Sequence, residues 1–134
     1  MIIIGDNLDY DFDTDLTPDL DPIVDSNGDK RWEKNGLRHR VYGPAIECYN
    51  GETAWYQYGY PHRVSGPAMT FPNSHNCYYR YGKLHRLDGP AIEWLNAAWI
   101  KRGSARNNWF IAGQKIDCNS QEEFERLLKI KAFW

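Results

Sequence analysis

A motif recurs along this sequence at intervals of 23 residues. Each copy contains a glycine, then a His-Arg pair, then a Gly-Pro-Ala triplet, with the same spacing every time. The three full copies occupy residues 36–45, 59–68 and 82–91, and the aromatic residues that open them are Trp32, Trp55 and Tyr78. A weaker copy lies at residues 109–113, after about eight additional residues. A period of this length indicates an array of small supersecondary units.

Each copy predicts two short strands. Residues 53–58 are rich in strand-forming side chains, Gly59 ends this strand, and a loop is predicted over residues 61–63. A second strand is predicted over residues 68–71, directly after Gly66-Pro67, because proline is tolerated at the start of a strand but not in its centre.

The turns determine how these strands connect. Asn50-Gly51 predicts a two-residue type I′ hairpin turn, in which both central residues need a positive φ. Asn73-Ser74 fits this turn less well, so a longer turn is expected there. We therefore predict a mainly β fold, an antiparallel meander of β-hairpins over about residues 22–113.

The C-terminal segment, residues 118–134, predicts one α-helix of about 12 residues. Ser120 and Glu123 form a capping box, and Phe124, Leu127 and Leu128 lie at helical spacing. A helix this short is marginal alone, so its apolar stripe is expected to pack on the last hairpins. The alternative role is a docking site for a partner.

The repeat carries a family resemblance. The pattern W-x-x-x-G-x-x-H-R-x-x-G-P-A resembles the MORN-like repeats of proteins from tailed phages and bacteria, and the resemblance covers about residues 22–117. The middle copy departs from the pattern at Ser65 and Thr70. The resemblance implies β-hairpin repeats that serve as interaction surfaces, and it implies little about activity.

Charge divides the chain unevenly. The formal net charge is −2, but residues 1–29 hold nine Asp and no Lys or Arg, whereas the remainder holds all 16 basic residues. Residues 1–21 are predicted to form an acidic arm or an edge strand, and an insertion at about 97–106 is basic. The predicted partner-binding residues are Asp9, Asp11, Asp13, Asp15, Trp99, Lys101, Arg102 and Arg106. A solvated leader and an irregular hairpin loop are the alternatives for these two segments.

The repeated His-Arg pairs are candidates for a site. Equivalent residues of neighbouring hairpins lie about 10 Å apart, so His39, His62 and His85 cannot share one metal ion. No metal site or cofactor is predicted. The possible anion-binding residues are Arg40, Arg63 and Arg86, which could follow a linear polyanion. Alternatively, each pair is a clamp within its own unit, which binds the Gly-Pro turn and stacks on a ring.

Other side chains have structural interpretations. Alternation places Lys34, Gln57 and Arg80 on the same face as the Trp32 row, which predicts that this face is the more hydrated one. His75 is predicted to be a solvated turn residue. The three cysteines lie at irregular spacing, which argues against a disulfide framework.

These observations predict a non-enzymatic binding protein. Together with the phage resemblance, they favour a phage accessory protein that binds a host protein. The expected host protein is a nucleic-acid-processing or defence protein, which this binding would inhibit. Nucleic-acid or nucleotide binding by the Arg and aromatic ladders is the alternative, and a nuclease using His and Asp side chains is a third hypothesis. No membrane span is predicted, the expected location is the (host) cytoplasm, and an open sheet edge would allow a homodimer.

Overall fold

The structure is a computed structural model that describes residues 18–96 and 108–131. This part of the chain is mainly β, with antiparallel hairpin strands and one C-terminal helix, as predicted. The strands are β1 Ile23–Val24, β2 Lys30–Arg31, β3 Glu33–Lys34, β4 Leu37–Arg38, β5 Ile46–Glu47, β6 Thr53–Ala54, β7 Tyr56–Gln57, β8 Tyr60–Pro61, β9 Met69–Phe71, β10 His75–Cys77, β11 Tyr79–Arg80, β12 Lys83–Leu84, β13 Ile92–Trp94, β14 Trp109–Ile111 and β15 Gln114–Ile116, and the helix is α1 Gln121–Lys131.

Seven strands form one meandering sheet in the order β1-β2-β5-β6-β9-β10-β13. Every pair in it is antiparallel. The other strands form four two-stranded ribbons, β3-β4, β7-β8, β11-β12 and β14-β15. Each repeat unit therefore alternates between the main sheet and a ribbon.

The tight turns lie at the ribbon tips. In the β7-β8 ribbon, Gln57 pairs with Tyr60, and the two residues between them, Tyr58 and Gly59, have φ angles of 46° and 87°. This is the type I′ geometry. The other ribbons have the same turn at Asn35-Gly36, Tyr81-Gly82 and Ala112-Gly113. The prediction that Gly59 ends a strand before a loop at 61–63 was thus wrong, because Gly59 closes a hairpin whose second strand includes Pro61.

The predicted type I′ turn at Asn50-Gly51 was also wrong. Gly51 has a φ of 92°, but Asn50 does not have a positive φ. Three residues separate Cys48 from Glu52, and the Glu52 carbonyl accepts a hydrogen bond from the Cys48 N–H at 2.9 Å. The Asn50 side chain accepts one from the Glu52 N–H at 3.0 Å, so asparagine is favoured here as a turn-forming side chain.

A histidine links each unit to the next. His62 Nδ1 accepts a hydrogen bond of 3.0 Å from the backbone N–H of Tyr81, the first residue of the next ribbon turn. The ring also stacks on the Tyr81 ring, with centroids 3.8 Å apart. His39 and His85 accept equivalent bonds from Tyr58 and Ala112, also at 3.0 Å. The expectation of a clamp within one unit was therefore wrong for the histidines.

These imidazoles are inside the protein. The exposed fractions of His39, His62 and His85 are 4%, 1% and 1%. Since Nδ1 accepts a backbone hydrogen bond, each ring is assigned the neutral form that carries its proton on Nε2. The neighbouring turn glycine strengthens the junction, since the Gly82 N–H donates to the Pro61 carbonyl at 2.8 Å.

The helix closes the array on the last ribbon. Ser120 Oγ accepts a hydrogen bond from the Glu123 N–H at 3.1 Å, which confirms the predicted cap, although the Glu123 carboxylate reaches back to the Asn119 N–H instead of the Ser120 N–H. Phe124 and Leu128 are buried, as their spacing predicts. The apolar cluster at this end consists of Trp109, Ile111, Ile116, Phe124 and Leu128.

We expect His62→Ala to lower the free energy of unfolding by about 3 kcal/mol, because it removes ring volume and leaves the Tyr81 N–H without an acceptor. His62→Asn is the matched variant, since its Oδ1 takes the place of Nδ1. It should retain a substantial part of that stability in urea titrations monitored by circular dichroism. Equal losses in both variants would show that the hydrogen bond contributes nothing.

Candidate functional site

The eight predicted partner-binding residues lie outside the described residues. They are Asp9, Asp11, Asp13, Asp15, Trp99, Lys101, Arg102 and Arg106. The candidate site is therefore built from the three repeated arginines, which the structure does describe.

Each repeated arginine stacks on the aromatic residue that opens its unit. The guanidinium carbons of Arg40, Arg63 and Arg86 lie 3.8, 4.0 and 3.9 Å from the ring centroids of Trp32, Trp55 and Tyr78, respectively. Nη1 of each arginine donates to a proline carbonyl four residues later, at 3.1, 3.3 and 3.2 Å. We call residues 40–44, 63–67 and 86–90 the first, second and third arginine loops.

The stacked arginine explains why the repeat has a glycine before the proline, and it also bears on the burial of the opening aromatic residue. A Cβ on Gly43 would lie 2.7 Å from Arg40 Cζ, so only glycine leaves room for the guanidinium. Trp32 is buried beneath its arginine, so the prediction that the Trp32 row faces the more hydrated side was wrong. Alternation fails at Trp32 because this residue lies between β2 and β3, where the chain leaves the main sheet.

The carboxylates around the loops differ between units. In the first loop, Arg40 pairs with Glu47 at 3.0 Å and with Asp19 at 3.7 Å. In the third loop, Arg86 pairs with Asp88 at 2.9 Å and with Glu93 at 3.3 Å.

Arg63, in the second loop, has no carboxylate partner in residues 18–96 and 108–131. Burial lowers the pKa of the Arg63 guanidinium. Burial acts in the same direction on Arg86, but the hydrogen bonds with Asp88 and Glu93 help to reverse the effect and raise its pKa. Of these two partly buried guanidinium groups, Arg63 is therefore the one whose charge is not balanced by a carboxylate among the described residues.

The side of the ribbons carries a second surface feature. Leu37 packs over Gly59, Tyr60 packs over Gly82, and Lys83 packs over Gly113 of the last ribbon. Tyr60 is 59% exposed and Leu37 is 45% exposed. The Lys34 ammonium lies 5.7 Å from the exposed Tyr58 ring. We call Lys34, Leu37, Tyr58, Tyr60 and Lys83 the ribbon face.

His75 is a strand residue, so the prediction of a solvated turn was wrong. It lies in β10, half-buried, between the rings of Phe71 and Trp94, with centroid distances of 4.5 and 4.8 Å. Its Nδ1 lies 2.7 Å from the Ser74 hydroxyl. Desolvation lowers the pKa of His75 below its ordinary value of 6.5.

Little in the described residues suggests metal or thiol chemistry. Residues 18–96 and 108–131 hold no group of three or more His, Cys, Asp or Glu side chains that could bind a metal ion. The cysteines are free thiols, and burial raises the pKa of Cys77 to about 11, far from that of a reactive thiolate.

No helix in the described parts of the chain is long and apolar enough to cross a membrane.

Comparison with known proteins adds no identity. No family model matches the sequence, and neither a curated protein nor a solved structure matches it. The MORN-like resemblance therefore rests on the repeated residues alone.

Sequence reasoning missed two residues of the candidate site. Asp19, which binds the first loop, is one of nine acidic residues in its segment, and no spacing distinguishes it. Arg80 Nη2 donates to the Val64 carbonyl of the second loop at 2.7 Å. The sequence signal that could have identified Arg80 is the change from Gln57 to arginine at the equivalent position of the next unit.

We expect acid to destabilise the protein partly through His75. Because its pKa is lowered in the folded state, the unfolded chain takes up a proton that the folded protein resists as the pH falls through about 6.5, so stability is lost on acidification. His75→Phe keeps a stacked ring and removes this titration. Between about pH 7.5 and about pH 5.5 the urea midpoint of the wild type should fall more than that of His75→Phe. Parallel curves would contradict the assignment.

Proposed function

We propose that this chain is a non-enzymatic binding protein that holds a protein partner on its ribbon face. The observation that carries the proposal is the contiguous exposed row of Leu37, Tyr58 and Tyr60 beside Lys34 and Lys83. Exposed aromatic and aliphatic side chains in a continuous patch are typical of protein-binding surfaces, and tyrosine is enriched there. The histidine junctions give this row a rigid support.

The resemblance to MORN-like proteins of tailed phages supports a host protein as the partner. In this proposal the chain is a phage accessory protein that acts in the host cytoplasm and inhibits a nucleic-acid-processing or defence protein by occupying its surface. The acidic residues 9–15 and the basic insertion at about 97–106 remain predicted contributors to the same contact.

Nucleic-acid binding by the arginine ladder is less well supported. A linear polyanion needs several accessible cations in register. Arg40 and Arg86 are each engaged with two carboxylates, which leaves Arg63 as the one loop arginine without an acidic partner among the described residues.

The test compares protein capture by matched variants. The immobilised full chain, a Leu37→Ser/Tyr60→Ser variant and a Tyr49→Ser control are exposed to host lysate with and without nuclease treatment. Captured proteins are purified for affinity measurements. Tyr49 is 77% exposed but lies in the turn after β5, away from the ribbons. We expect the double variant to bind the purified partner at least about tenfold more weakly, while the control is unaffected.

Thermal melts establish that all three proteins are folded. A version that lacks residues 1–17 keeps Asp19 and tests the acidic arm separately. Capture that disappears after nuclease treatment, or that is equal in the ribbon-face variant and the control, would contradict the proposal.

A further inference from the structure

The second arginine loop lacks the acidic residues of its counterparts. Residues 53–79 contain a single charged side chain, Arg63. Ser65 occupies the position that Asp88 has in the third unit, and Thr70 occupies that of Glu93. The Thr70 hydroxyl is hydrogen-bonded to Thr53 Oγ1 at 2.6 Å. The two departures from the repeat pattern thus remove both carboxylates that hold the equivalent arginine.

The first arginine loop shows what such a loop binds. Asp19 Oδ1 accepts a hydrogen bond from the Val41 N–H at 2.8 Å, and Oδ2 accepts one from the Tyr42 N–H at 3.0 Å. Arg40 Nε lies 3.7 Å from Oδ2. Two consecutive backbone N–H groups and one guanidinium therefore engage both oxygens of a single carboxylate.

The second loop contains the same three donors, although Arg63 Nε is buried. The backbone N–H groups of Val64 and Ser65 correspond to those of Val41 and Tyr42. In the described part of the chain neither donates a hydrogen bond, and Arg63 Nε has no hydrogen-bond partner either. Val64 and Ser65 are exposed, so a ligand can reach them.

A cleft of about 430 Å³ opens beside Val64 and Ser65, between the second and third loops. Val64, Ser65, Leu87 and Arg80 are among its lining residues. Arg80 adds positive charge and fixes the loop by donating to the carbonyls of Arg63 and Val64. The partly exposed Val64 and Leu87 side chains supply apolar walls.

We propose that the second arginine loop is a binding site for an aspartate or glutamate side chain from an acidic, partly apolar segment of the partner protein. This inference rests on the proposed function and names one of its contacts. A carboxylate is the proposed ligand because the first loop binds both oxygens of the planar Asp19 carboxylate. A nucleic acid is disfavoured because Arg40 and Arg86 are already paired with carboxylates, so successive phosphates would not find unpaired loop arginines in register.

The probe is a synthetic peptide with the sequence of residues 16–23, which contains Asp19 between Pro18 and Leu20. It is titrated into the full ¹⁵N-labelled chain and followed by amide chemical shifts. We expect saturable shifts of the Val64 and Ser65 amides. The Val41 and Tyr42 amides should stay unchanged, because the chain's own Asp19 occupies the first loop.

A matched pair of variants at Ser65 tests whether the peptide binds at the second arginine loop. Ser65→Asp places a carboxylate where the third unit has Asp88, so it should abolish the peptide-induced shifts while keeping the fold. Ser65→Asn, of the same size without the charge, should retain them. A peptide with asparagine in place of both aspartates should produce no saturable shift.

Several outcomes would overturn the inference. They are unchanged Val64 and Ser65 amides, equal shifts with the asparagine peptide, or stronger shifts with a short oligonucleotide. A Ser65→Asp variant that binds the captured partner as tightly as the wild type would also overturn it, while the proposed function would stand. If the ribbon-face variant binds the captured partner as tightly as the wild type, that result would contradict the proposed function instead.

Discussion

The hydrogen bond between one imidazole nitrogen and the next unit's ribbon turn holds this array together. A two-stranded ribbon with strands of two residues is not stable by itself, and its turn exposes backbone N–H groups that need acceptors. His39, His62 and His85 supply those acceptors from the preceding unit. In the last unit the histidine position holds Ile116, and the helix covers that end instead. The 23-residue period is thus a consequence of nearest-neighbour packing.

The arginine loops use the same framework differently in each unit. Ring stacking and the bond to a proline carbonyl recur, so they are part of the fold. The acidic partners recur only in part, since Glu47 and Glu93 are equivalent but the second unit has Thr70 at that position. The side chain at the ribbon position of Leu37, Tyr60 and Lys83 changes in every unit. In a repeat protein the constant positions build the scaffold, and the variable ones are available for recognition. The ribbon face and the second arginine loop are both such variable surfaces.

The period predicted the hairpin meander and the capping box predicted the helix, because both signals are local and strong. Turn propensity predicts the position of the tight turns only in part: Asn35-Gly36 has both the preferred sequence and the type I′ turn, but the other ribbon turns do not have that sequence. Asn50-Gly51 has the preferred sequence but a longer turn, whereas Tyr58 adopts a positive φ that tyrosine disfavours. The hydrogen bond and ring contact from His39 offset that cost, and His39 lies in the preceding unit, 19 residues earlier in the chain. Similarly, Asp19 acquires its role only when its segment meets the first loop.

The central claim is tested most directly by the tautomer and bonding of the three buried histidines. A long-range ¹H–¹⁵N correlation spectrum distinguishes a pyridine-type from a pyrrole-type ring nitrogen. The account predicts an unprotonated Nδ1 and a protonated Nε2 in His39, His62 and His85, with slow hydrogen exchange at the Tyr58, Tyr81 and Ala112 amides that donate to them. A proton on Nδ1 in these rings, or rapid exchange at those amides in the folded protein, would contradict it.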